Sequence, residues 1–102
     1  MAEISTYNGD KTDKYNWSQG LTEVTVQVPL PEGTKPRHLE VKIQPKQIMV
    51  KLRPTGEVLL EGELFEKVKV EDSLWSVEDS KSLILNLEKG REAIWKTVIV
   101  GD

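Results

Sequence analysis

Glu23-Val24-Thr25-Val26-Gln27-Val28-Pro29 decides the fold class. Valine recurs at every second position, with Thr25 and Gln27 between. A period of two marks a strand with one buried and one wet face; a helix would space its apolar residues three and four apart. Pro29 and Pro31 end the run, because proline has no N–H to give to a ladder. The same pattern spreads outward. Upstream, Tyr15 and Trp17 alternate with Asn16 and Ser18 as a short edge strand. Downstream, Leu39, Val41 and Ile43 alternate with Glu40, Lys42 and Gln44. After a turn at Pro45-Lys46, Ile48, Val50 and Leu52 alternate with Gln47, Met49 and Lys51. Pro54-Thr55-Gly56 reads as a three-residue hairpin loop with glycine in the left-handed position. That loop sets Arg53 opposite Glu57, Lys51 opposite Leu59 and Met49 opposite Glu61. Val58 and Leu60 continue the inward set, Gly62 marks a bulge or a close backbone approach, and Leu64-Phe65 closes the strand. Trp75 and Val77 oppose Ser76 and Glu78, Ser80-Lys81 turns the chain, and Leu83, Leu85 and Leu87 form the last inward stripe. Ile94 to Val100 fits a short strand or a turn of helix.

Single-faced strands with frequent turns need a second apolar layer. The reading is all-β: an antiparallel β-sandwich of about seven strands, in one domain over residues 15–102. Residues 1–14 read as a flexible lead-in around the turn signal Asn8-Gly9-Asp10. The chain has 102 residues, enough for one modest core.

Composition removes several function classes. There is no cysteine and one histidine, so thiolate chemistry, disulfides and a multi-histidine metal site are excluded. Net charge is −3, which argues against nucleic-acid binding. No apolar run approaches the roughly 20 residues of a membrane span, and no secretory signal pattern opens the chain; the expected location is cytoplasmic. Charge is uneven, however. Lys35, Arg37, Lys42, Lys46, Lys51 and Arg53 face only Glu40 in their segment. This is either a solvated face paired with neighbouring acids or a basic patch that steers an acidic partner.

No catalytic residue, cofactor site or metal site is assigned, and the chain does not read as an enzyme. His38 has no orienting carboxylate in a cleft. Glu71-Asp72-Ser73 and Glu78-Asp79-Ser80 lack the calcium-loop spacing and read as turns at the two ends of the Trp75 strand. Trp17, Trp75 and Trp95 read as structural core anchors whose indole N–H groups reach polar atoms at the rim.

Specific residues then become familiar. Tyr15-x-Trp17-x-Gln19 with Leu21-x-Glu23-Val24 resembles the opening of the CS domain of the NudC (nuclear distribution C, nuclear movement) family. Val28-Pro29-Leu30-Pro31-x-Gly33-Thr34-Lys35 and Gly62-x-Leu64-Phe65-x-x-Val68-Lys69-x-x-Asp72-Ser73-x-Trp75-x-Val77-Glu78-Asp79 are similar to its middle. Leu85-x-Leu87-x-Lys89, Trp95 and Val98-x-x-Gly101-Asp102 are similar to its end. The resemblance implies a sandwich of the small-heat-shock and co-chaperone type and a non-enzymatic role: engaging heat-shock protein 90 or client proteins and supporting dynein-pathway components. The alternative is an autonomous holdase. Two positions depart from the family pattern, with Ile94 where a first tryptophan precedes Trp95, and Arg53-Pro54 where lysine–glycine is usual. Larger members carry a self-associating N-terminal extension; without one, a monomer is expected here.

A binding module works through its outward positions. Lys42, Met49, Lys51, Arg53 and Leu59 are the expected partner-binding residues, two apolar side chains inside a charged frame.

Overall fold

The computed structural model describes residues 10–11 and 15–101. Most of the expected lead-in therefore lies outside the described residues. Its Asp10–Lys11 forms a two-residue strand, β1. Seven longer strands follow: β2 (Asn16–Gln19), β3 (Glu23–Pro29), β4 (Leu39–Ile43), β5 (Gln47–Leu52), β6 (Val58–Glu63), β7 (Val68–Glu78) and β8 (Ser82–Lys89). They form two antiparallel sheets, β1-β2-β3-β8-β7 and β4-β5-β6. The β-sandwich read from the alternation is the observed fold.

Inward rows run across both sheets. Trp17, Val26, Leu85 and Trp75 are cross-strand neighbours in the larger sheet, and Val41, Val50 and Leu60 in the smaller. Val24, Val26, Val50, Leu83, Leu85 and Leu87 have no exposed surface. Trp17 and Trp95 are core residues, whereas Trp75 is half-buried and packs against the core from its edge strand. Each fully buried aliphatic contributes about 1.5–3 kcal/mol.

Three local expectations change. The β5–β6 loop is one residue longer than the three-residue reading. Leu52 N–H donates to Glu57 O at 2.8 Å and Gly56 N–H to Leu52 O at 2.7 Å, with Gly56 at φ 75°. Arg53 leaves the ladder because its N–H turns to His38 O at 2.8 Å and its Nε to Leu39 O at 3.1 Å. The second change is in β6. A register shift lies between Val50 and Lys51, so Lys51 faces Val58 and Leu59 is the extra residue. A bulge places two residues against one; Leu59 accordingly packs against the core beside Leu60, and Val58 turns out to solvent.

The third change concerns the two acidic triplets. Glu78-Asp79-Ser80 is the expected turn: Lys81 N–H donates to Glu78 O at 3.0 Å, and Asp79 and Ser80 both sit at φ 54°. Residues 79–81 form a three-residue connection between the paired Glu78 and Ser82, and two successive residues at positive φ reverse the chain within it. Glu71-Asp72-Ser73 is not a turn at the strand end but a bulge inside β7, between Lys69 and Leu74. Ser73 Oγ donates to Lys69 O at 2.8 Å and accepts from Glu88 N–H at 3.1 Å, plugging the interrupted ladder.

Candidate protein-binding face

The smaller sheet presents two outward rows, Lys42–Met49–Glu61 and Glu40–Lys51–Val58. Alternation puts these side chains opposite the buried Val50 and Leu60 and the partly buried Val41. Met49 is half-buried in the centre, with Lys42 and Glu61 on either side. Glu40 lies between two lysines, 3.5 Å from Lys42 Nζ and 3.9 Å from Lys51 Nζ. Two lysines of the basic run therefore share one glutamate, and Glu61 in the next row balances the formal charge of this face. Lys42 remains 63% exposed and able to meet a second carboxylate.

The five expected binding residues do not all share this face. Lys42, Met49 and Lys51 do. Arg53 sits at the rim, its Nε spent on the Leu39 carbonyl. Leu59 belongs to the core side, and Val58, 48% exposed, takes the outward place that sequence reading gave to Leu59. The signal for this swap is absent from the local sequence, because a bulge is not visible in alternation. Beyond Met49 the face dips into an open groove of about 420 Å³ lined by Lys42, Gln44, Gln47, Met49, Glu61 and Gly62. Gly62 has no side chain for a reason: a Cβ there would collide with Ile99 Cγ2.

One end of the sandwich is closed by the segment after β8. It is neither strand nor helix; a single bridge, Leu64 with Ile99, ties it to the smaller sheet. Trp95, Val98 and Ile99 point into the core. The inward stripe Leu83-Leu85-Leu87 continues to Lys89, which is only 3% exposed. Lys89 Nζ donates to Gln19 Oε1 at 2.8 Å, to Gly20 O at 2.7 Å and to Ala93 O. All three ammonium protons are thus placed, which is what makes burial of this charge tolerable. Desolvation pulls its pKa below the ordinary lysine range, with nearby Glu23 opposing. The Gln19 amide also exchanges two bonds with the Trp95 backbone, each 2.8 Å, as a neighbouring strand would. Trp95 lies 6.0 Å from Phe65 and 5.9 Å from Lys89 Nζ. Its Nε1 is buried without a hydrogen-bond partner, contrary to the expected rim contact, because the ring sits wholly inside. Ile94 beside it is 54% exposed, so the first position of the family's tryptophan pair points outward here.

His38 has a local task. Its Nδ1 accepts from Lys35 N–H at 3.1 Å, capping the single 3-10 turn Pro36–His38. At the opposite corner Arg91 grips Glu66 through two bonds, 3.1 and 3.0 Å. Those bonds hold the Glu66 carboxyl below the usual range and push Arg91 up.

The class of protein defined so far is a two-layer antiparallel β-sandwich whose two sheets each keep an outward wall. The CS domain family model matches residues 13–89, and the chain belongs to that family. Its relatives are of NudC type. It is 38% identical over 100 residues to NudC domain-containing protein 3 of Homo sapiens, covering 95% of this chain and 28% of that protein. It is 38% identical over 88 residues to Protein BOBBER 2 of Arabidopsis thaliana, covering 86% of this chain and 30% of that protein. The chain therefore spans less than a third of these relatives. The solution structure of the CS domain of human KIAA1068 protein superposes with a TM-score of 0.84 at 36% identity, covering 98% of this chain and 83% of that one. The nuclear movement protein from E. cuniculi gives 0.71 at 29% identity, covering 85% and 99%.

Proposed function

We propose that residues 15–102 act as a non-enzymatic, monomeric co-chaperone domain in the cytoplasm. It engages heat-shock protein 90, or a client presented with it, and supports components of the dynein and nuclear-movement pathway. The observation that carries this reading is Met49, an apolar side chain held at the centre of the charged frame of Lys42, Lys51, Glu40 and Glu61, on a CS domain of NudC type. Such a frame excludes water from a central anchor and selects the partner's charges. Val58 extends the apolar strip, and Arg53 offers a guanidinium at the rim.

The test is a titration of the isotope-labelled chain with purified heat-shock protein 90, with and without nucleotide. Binding with shifts at Lys42, Met49 and Lys51 supports the reading; no binding at high micromolar concentration sinks it. The holdase alternative draws on the exposed Leu21, Leu74 and Ile94. Light scattering of a heat-denatured client separates the two, since a holdase suppresses aggregation without any chaperone present.

A further inference from the structure

Four strand edges bound the two sheets, those of β1, β7, β4 and β6. Three of them are blunted. β1 is two residues long. β7 is broken by its bulge between Lys69 and Leu74, and β6 by its own at Leu59. The end of β6 is also taken: Phe65 N–H donates to Val98 O at 3.0 Å and Val100 N–H to Glu63 O at 2.8 Å. β4 is the exception, five residues in unbroken register with β5 and without proline or glycine. Arg53 N–H reaches His38 O at 2.8 Å, and Gln44 N–H reaches Gln47 O at 2.8 Å. Bonding alternates along an antiparallel strand, so His38, Glu40, Lys42 and Gln44 bond to β5 while Leu39, Val41 and Ile43 aim their backbone groups off the edge. Leu39 is occupied, donating to Pro36 O and accepting from Arg53 Nε. The N–H and C=O groups of Val41 and Ile43 find no backbone partner among the described residues.

This edge opens onto an apolar cleft. β7 lies beside β4 across the gap between the sheets, because both ends are tied. Val68 N–H, at the start of β7, donates to Pro45 O, just past β4, at 2.8 Å. Past the other end of β7, Ser80 accepts from Gly33 N–H at 3.0 Å and from Lys35 Nζ at 3.5 Å, in the approach to β4. Val41 and Ile43 on β4 and Trp75 and Val77 on β7 pack against the core yet stay partly exposed, whereas the inward aliphatics of β3, β5 and β8 are buried. We propose that β4 accepts an extended peptide strand, antiparallel to it, that carries an aliphatic, an acidic and an aliphatic side chain in succession. The inference rests on reading the chain as a protein-binding module and gives it a second site. Backbone pairing supplies the bonds along an edge, and alternate side chains supply the choice of partner. Peptide residues opposite Val41 and Ile43 share their face and drop toward Trp75 and Val77. The residue between them stands beside Lys42 on the outer wall. Lys42 is 63% exposed and shares Glu40 with Lys51, at 3.5 and 3.9 Å, so a carboxylate there meets an ammonium without a full counter-charge. Glu71 and Asp72 belong to the other sheet, about 10 Å away, and that carboxylate points away from them. At the Ser80 end both signs occur, Lys35 and Arg37 with Glu78 and Asp79, so the outer positions of the peptide carry no charge. The ties at the two ends limit the added strand to about five residues, roughly 17 Å.

The probe is an acetylated, amidated pentapeptide, threonine–valine–glutamate–valine–threonine, titrated to millimolar concentration into the isotope-labelled chain. Expected are shifts at Val41, Ile43, Trp75 and Val77, with an affinity that falls between about 50 and about 500 mM salt. N-methylation of the two valines removes the amides that face β4 and should abolish binding. N-methylation of the glutamate, whose N–H points away from β4, should leave the affinity within about twofold. Exchanging the peptide glutamate for lysine should weaken binding about tenfold, and Lys42→Glu should reverse that preference. The proposal is overturned by shifts confined to Met49 and Lys51, by no shifts at millimolar peptide, or by a block from the glutamate methyl group in place of the valine ones. Concentration-dependent broadening at Val41 and Ile43 without peptide overturns it too, since it assigns the edge to a second copy of this chain. If heat-shock protein 90 perturbs the Met49 face and the peptide does not bind, the edge site falls and the proposed function stands. If the peptide binds as expected and heat-shock protein 90 does not, the edge site stands alone.

Discussion

The two outer walls of this sandwich share one construction and differ in chemistry. On the smaller sheet, four of the six outward positions are charged: Glu40, Lys42, Lys51 and Glu61, around Met49 and Val58. On the larger sheet, the two central rows carry no charge across β2, β3, β8 and β7, and Lys11 of β1 pairs with Asn16 at the end of one of them. Period-two alternation frees outward positions from the core's demands, so the contrast does not come from folding. It teaches that surface chemistry is distributed by sheet, with ion pairs shielding one wall and an amide–hydroxyl floor lining the other. Binding at the first should depend on salt.

The largest effect expected is the loss of both walls together. Trp95→Ala empties a fully buried site behind the two sheets and should cost about 3–5 kcal/mol in urea unfolding. If partner binding survives at full strength in that variant, the walls do not depend on a common core. Lys89→Met should follow at about 2–4 kcal/mol, because it takes the ammonium donor from the Gly20 and Ala93 carbonyls and removes one of the bonds to Gln19 Oε1, which keeps the Trp95 N–H. A neutral result in the same unfolding assay would mean that water replaces the ammonium at no cost.

The contrast itself is sharpened by charge. The double reversal Lys42→Glu with Lys51→Glu should slow association of an acidic partner about tenfold at low salt and change stability by less than about 0.5 kcal/mol. Stopped-flow rates at two ionic strengths read this directly, and an unchanged rate removes steering from the account. The smallest effect is set by pH. Arg91 lowers the Glu66 pKa from 4.5 in the folded state, so the unfolded chain binds the proton more readily in that window. The pair's contribution is present above about pH 4.5 and fades as pH falls through the folded value. Solvent screening keeps it small. Arg91→Ala should flatten that part of the stability–pH curve; an unchanged slope would show that the pair is inert.

Much of the architecture was readable because alternation is a local property. Val24, Val26 and Val28, and Leu83, Leu85 and Leu87, point where a period of two sends them. The stretch from Val68 to Leu74 was not readable as strand, since the bulge at Glu71-Asp72-Ser73 breaks the period and Ser73 restores the bonding only through its side chain. For the same reason Leu59 was misplaced on the wet side. Of the expected binding residues, Lys42, Met49 and Lys51 fall on one face. Arg53 is drawn to a carbonyl on β4, a partner 14 residues back that no spacing reveals. Lys89 continues an inward leucine stripe, yet a lysine at that place reads as exposed unless its acceptors are known.

By itself the sequence determined the layers, because burying alternate side chains is a rule each strand obeys within its own few residues. Only the tertiary structure decided which groups meet: the Lys89–Gln19–Trp95 closure joins positions up to 76 residues apart, and the outer wall of the larger sheet is assembled from β2, β3, β8 and β7. Neighbourhood across strands depends on register and sheet order. These are set by the packing of the whole core, so no single segment encodes them.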